Sequence, residues 1–140
     1  METTKQATCK EQVASHLRGR IHDIRKLWNL ERQDPEASDP DLGTFNEYGL
    51  SFDYVAPGTF TGRRRGYFRY QLSWGGPSDE FRFYATEGFG LDRIEYWFLD
   101  WFDGAHIQLT GRDLELLTEV WDMFREVGTV EAEYKRAVTS

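Results

Sequence analysis

The sequence predicts an α+β domain with a long N-terminal helix, a four- or five-stranded antiparallel meander sheet and one or two C-terminal helices. Three patterns carry this. Val13, Leu17, Ile21, Ile24 and Trp28 recur at spacings of four and three, which lines one face of a helix. Four later runs alternate apolar and polar residues with period two, as half-buried strands do. Leu114, Leu117, Trp121 and Phe124 then return to helical spacing.

The first helix is expected from roughly Thr4 to Leu30, within a helical segment 1–30. Arg18, Arg25 and Lys26 lie off its apolar stripe, and Gly19 weakens the interior by about 1 kcal/mol. His16 and His22 project about 120° apart and make no chelating pair. Residues 31–47 read as an acidic linker. Asp34-Pro35 and Asp39-Pro40 break helix, while Asp34, Glu36, Asp39 and Asp41 repel one another and hold the segment in solvent.

The sheet is expected over 48–109. Its strands are 49–56 (Leu50, Phe52, Tyr54), 66–74 (Phe68, Tyr70, Leu72, Trp74), 80–86 (Phe81, Phe83, Ala85) and 91–99 (Ile94, Tyr96, Phe98). Short turns at 75–79 and 87–90 make antiparallel neighbours. Placing Phe83 opposite Ile94 places Phe81 opposite Tyr96 on the inner face, and pairs Arg82 with Glu95 on the outer face. Residues 105–109 suit a fifth short strand. Thr110, with Asp113 three residues on, suits an N-cap, and Gly128 suits the C-terminal end of that helix. Thr129 opens a last helix through Val138, completing a helical segment 110–140. No repeat or second domain interrupts residues 1–140.

Composition bounds the function. The 140 residues include five Trp, seven Tyr and ten Phe, enough large rings for a substantial core. Cys9 is the only cysteine, so an internal disulfide framework is excluded. No run approaches the roughly 18 apolar residues of a membrane span, and Met1 to Lys5 opens no apolar leader, so a cytoplasmic location is expected. The net charge of −7 is uneven: residues 31–53 carry −6 and residues 76–104 carry −5, whereas 54–75 carry +4. This balance argues against direct nucleic-acid binding, which needs Lys and Arg for phosphate. It suits a basic protein surface instead. Plain solubility is the simpler account of the same charge.

No residue set is a convincing catalytic or metal centre. Asp100, Asp103 and His106 have ligand-type side chains, but Asp103-Gly104 reads more simply as a turn. Cys9 is expected in a frayed terminus without a base, and Ser73 and Ser78 lack the glycine-flanked elbow of hydrolases. Gly75-Gly76 opens no phosphate loop. Neither cofactor nor metal is expected. Arg63-Arg64-Arg65 reads as a solvated basic hairpin tip. The run Tyr96 to Asp103 holds more large apolar groups than one sheet face can use. If Phe98 points inward, Trp97 and Leu99 point outward, where either the N-terminal helix covers them or a partner does.

The strings YFRYQLSWGGPSDEFRFY (67–84) and RIEYWFLDWFDGA (93–105), with EYGLSFDYVAPGTF (47–60) and the closing helix, resemble a family of small proteins of plasmids and other mobile elements. The resemblance spans about two-thirds of the chain and brings no activity and no catalytic residues. It implies an accessory role, with anti-CRISPR or antirestriction antagonism of host defence as the candidate. The combined expectation is a non-catalytic acidic inhibitor that binds the basic surface of a nucleic-acid-handling host protein. Asp92, Glu95, Asp100 and Asp103 would steer the encounter, and Trp97, Trp101 and Phe102 would anchor it. A regulatory or structural protein of the mobile element, dimeric through its aromatic face, is the second reading. A small metal-dependent enzyme is the third.

Overall fold

The computed structural model describes residues 8–58, 65–101 and 103–139. In chain order these form α1 (Cys9–Gln33), α2 (Phe45–Tyr48), β1 (Ser51–Val55), β2 (Tyr67–Ser73), β3 (Ser78–Ala85), β4 (Leu91–Asp100), β5 (Asp103–Gln108), α3 (Gly111–Glu126) and α4 (Thr129–Thr139). The strands make one antiparallel sheet in sequence order, so the α+β meander is the observed fold. Phe83 opposes Ile94, Phe81 opposes Tyr96 and Arg82 opposes Glu95, the register the alternation requires.

All the helices pack on one face. Phe68, Tyr70, Leu72, Phe81, Phe83, Ile94, Tyr96 and Phe98 are buried with the stripes of α1 and α3, and half-buried Phe52 packs against them. Trp121 of α3 stacks on Phe83, centroids 5.3 Å apart, and also meets Phe68 edge-on. Burial of rings this size is the main stabilising term of the fold.

A polar network crosses the same face. Asp79 accepts from Arg20 of α1 (2.7 and 2.9 Å), from Ser73 Oγ (2.5 Å) and from Tyr96 OH (2.6 Å). Arg20 also donates to Tyr48 OH, which donates to Asp23. Burial alone would raise the Asp79 carboxyl, but these donors and the Arg20 charge hold it below the ordinary aspartate value. Burial, with Asp23 as acceptor, lifts Tyr48 to about 12 despite Arg20.

Several expectations are corrected. The expected start of the first helix, residues 4–7, lies outside the described residues; the described helix opens at a Thr8–Glu11 capping box and runs on past Leu30 to Gln33 before Asp34 turns extended ahead of Pro35. Cys9 is not frayed: it is buried, and its N–H donates to Asp103 at 2.8 Å. Burial and the nearby Asp103 push its thiol upward.

Residues 31–47 are mostly exposed, Asp34, Glu36 and Asp41 included, but the segment is anchored at Asp39 and Phe45. Asp39 is buried, pairs with Lys26 at 2.7 Å and accepts from the N–H groups of Asp41 and Leu42. The attraction of Lys26 and two backbone donors outweighs the repulsion between neighbouring carboxylates. A second capping box, Thr44 with Glu47, opens α2 and seats Phe45 against Trp28. Thr110 does cap α3 by position, but its side chain makes no cap bond, and Asp113 lies 3.8 Å from Arg25 instead. Gly128 ends α3 with φ 86°, where a side chain would be strained.

Trp74 leaves the inner stripe. The ladder between β2 and β3 shifts register between Gln71 and Ser73, β2 ends at Ser73, and Trp74 stands 62% exposed. Leu50 likewise precedes β1 and is exposed.

Candidate protein-binding surface

No described helix covers the outer face of the sheet. Its apolar cluster, Val55, Tyr67 and Tyr84, draws on strands alone. Neither expectation for this face holds in simple form, because α1 lies on the inner face and the outer residues cover one another. The Arg82 guanidinium sits between the rings of Tyr67 (4.6 Å) and Trp97 (4.0 Å) and donates to Glu80 at 2.7 Å. Arg93 lies over Tyr84 (4.1 Å) and donates to Glu95. The rings supply cation–π attraction, and the carboxylates fix each guanidinium in plane.

The expected Arg82–Glu95 pair is thus replaced. The two residues stand opposite each other, yet Arg82 takes Glu80, and Glu95 accepts from Arg93 and from Trp97 Nε1. Burial would raise the Glu95 carboxyl; the Trp97 and Arg93 donors lower it below the ordinary value. Trp97 stacks on His106 at 4.3 Å with planes 15° apart.

Of the seven expected binding residues, the six that are described do not form one site. Asp92 lies at the start of β4, pairs with Arg65 at 2.6 Å, and is on the order of 26 Å from Asp100 along an extended strand. Glu95 is buried and committed. Asp103 is exposed but holds the first turn of α1 through Cys9. Phe102, like Arg63 and Arg64, lies outside the described residues, whereas Arg65 caps the Tyr84 side of the outer face rather than a free tip. Of the rest, Asp100 and Trp101 both approach Gly76, whereas Trp97 is held by His106, Arg82 and Glu95.

Trp101 leads into a cleft at the end of the sheet. Trp101 occupies the β4–β5 turn with φ 52°, left-handed for a non-glycine residue, and its side chain is 83% exposed. With Gly75, Gly76, Ser78 and Leu99 it lines a cleft of about 380 Å³. Exposed Trp74 immediately precedes that glycine pair. Gly76 is the closest approach of the two turns: a Cβ there would lie 3.2 Å from Trp101 Nε1 and 3.5 Å from Asp100 Oδ1. Asp100 forms no ion pair with any described residue.

A second concavity of about 400 Å³ lies elsewhere, between Tyr54, Phe68, Phe89 and Tyr134. Those rings already pack on one another at 4.8 to 6.1 Å and act as the outer part of the core. No group of three or more His, Cys, Asp or Glu side chains is placed to share a metal ion among the described residues. His106 is held against Trp97 and Asp103 against Cys9, so two members of the Asp100, Asp103 and His106 trio are committed to different contacts. No described helix is long and apolar enough to cross a membrane. Set against models of known families, against curated proteins and against solved structures, the chain matches none.

Proposed function

We propose that the chain is a non-catalytic binding protein that docks on a basic surface of a nucleic-acid-handling host protein and blocks it, as an antagonist of host defence would. The observation that carries this reading is the pair of exposed indoles, Trp74 and Trp101, at the Gly75-Gly76 end of the sheet, with Asp100, which forms no ion pair with any described residue, next to Trp101. Large exposed rings at a turn cost solubility, and they anchor interfaces when a partner desolvates them. The net charge of −7 adds long-range attraction to a basic partner. The resemblance to mobile-element proteins supplies the defence setting.

The test is plasmid survival in cells with an active RNA-guided or restriction nuclease, with the chain expressed in trans. Survival should rise, and Trp101→Ala should abolish the rise while leaving the thermal melt unchanged. In vitro, complex formation with the nuclease should weaken as salt rises, because exposed charges are screened within roughly 8–10 Å. Unchanged survival against both kinds of nuclease would sink the defence reading.

A further inference from the structure

We infer that the outer edge of β5 is a docking site for an extended, basic segment of the partner, which adds there as a further strand; this rests on the binding reading above and names the part of the partner that the chain takes. Strand β5 closes the sheet on one side and pairs with β4 alone. The N–H of Leu109 donates to the Ile94 carbonyl, so antiparallel alternation turns the N–H and C=O groups of Gly104, His106 and Gln108 away from β4. No described backbone group bonds those of His106 and Gln108, and all three residues are exposed.

The two edges of the sheet differ. On β1, Asp53 is paired with Arg69 at 2.8 Å, and Tyr54 packs on Tyr134 of α4, centroids 5.0 Å apart. From Gly104 to Leu109 there is no proline, lysine, arginine or carboxylate, and the ladder to β4 runs without a register shift. Charges, prolines and bulges are what guard an exposed edge against pairing. On β5 they are missing from a strand whose every second residue presents a donor and an acceptor, a spacing that an extended backbone satisfies.

Side chains and charge set the kind of segment. Ala105 and Ile107 are half-buried on the inner side against the core, and apolar residues of an added strand would cover them. Gly104, His106 and Gln108 lie on the outer side and suit polar neighbours. At the turn end of the strand Asp103 is exposed, and Asp100 forms no ion pair with any described residue, so a lysine or arginine there meets opposite charge. A second copy fits less well. Self-pairing centred on His106 would set Asp103 against Leu109, leave both Asp103 carboxylates without a cation and join two chains of net charge −7.

The experiment titrates the intact ¹⁵N-labelled chain, at constant ionic strength, with three peptides. They are acetyl-Lys-Thr-Val-Thr-Val-Thr-Lys-amide, its Glu-ended twin, and the Lys-ended peptide N-methylated at every Thr and Val. The backbone amide signals of His106 and Gln108 should shift saturably with the first peptide and become protected from hydrogen exchange. The Glu-ended twin should bind at least about threefold more weakly. The N-methylated peptide keeps the charge but lacks the donors, and it should not bind. Gln108→Pro removes an outward N–H and keeps the ladder to β4, so it should lose binding, whereas Gln108→Ala should bind as the parent does. If Gln108→Pro lowers the thermal melt, the N-methylated peptide alone decides. No response at His106 and Gln108, equal binding of the N-methylated peptide, or equal binding of the Glu-ended twin overturns the inference. So does a dimer of the free chain in sedimentation that Gln108→Pro returns to monomer, which would give the edge to a second copy. If the peptide binds at β5 but the chain binds no nuclease, the binding reading fails and the strand site stands. If a folded Gln108→Pro blocks the nuclease as well as the parent does, the strand site fails and the binding reading stands.

Discussion

Phe81 and Phe83 on the inner face of β3 are buried under helices; Arg82 and Tyr84, between and beside them on the same strand, are buried as deeply with no helix above. The inner face gains its stability from apolar area removed from water by a second layer. The outer face gains coverage sideways, from guanidinium groups laid between rings and tied to carboxylates along the strand. The first kind of packing tolerates rearrangement of its neighbours. The second depends on every member of a charged set, because a lost partner leaves a buried charge uncompensated.

Four substitutions grade the contrast. Phe83→Ala should destabilise the fold by about 4 kcal/mol in denaturant unfolding, since the ring is fully buried beneath Trp121. A loss under about 1 kcal/mol would mean that the inner face is not the core. Asp79→Asn should cost about 3 kcal/mol at neutral pH, because Arg20 loses its buried partner. The folded Asp79 carboxyl lies below its ordinary value, so its contribution is complete above the unfolded value of about 3.9 and fades as pH falls through the folded value. The gap between parent and variant should therefore close in acid; a constant gap from about pH 6 to about pH 2 would contradict the network.

Arg82→Met should cost about 2 kcal/mol by leaving Glu80 buried without its donor. Adding Glu80→Gln should recover part of that loss, and strict additivity of the two changes would show that the outer lattice is not coupled. Trp101→Ala should change stability by no more than about 0.5 kcal/mol, the ordinary range for an exposed site. Thermal melting separates that outcome from a structural role for the indole.

Period-two alternation made the sheet legible because register and face are local properties of a strand: fixing Phe83 opposite Ile94 fixed the rest of that ladder. Alternation does not say what covers a face, so the lattice around Arg82 had no signal beyond the residue types. Trp74 was misplaced because one irregularity between Gln71 and Ser73 ends the alternation early. Asp39 and Asp79 looked like turn residues, and their counter-ions, Lys26 and Arg20, both come from α1. At the candidate site, Trp101 and Asp100 were legible as an aromatic and acidic turn. The contribution of the Gly75-Gly76 turn was not, since it arises only when two separate hairpins meet.

The seam between α1 and the last hairpin has a consequence for how the chain assembles. Each strand pairs with the next one made, so the sheet can grow by short steps as the polypeptide lengthens. Helix α1 is synthesised before any of it, yet its first N–H is held by Asp103 and its Trp28 reaches Glu119, partners 94 and 91 residues later. Its apolar stripe therefore has no complete seat until the β4–β5 hairpin and α3 have emerged. Nascent chains halted before residue 100 should present that stripe to chaperones, and release past residue 121 should bury it, a difference that protease protection of Leu17 and Ile21 on stalled ribosomes would register.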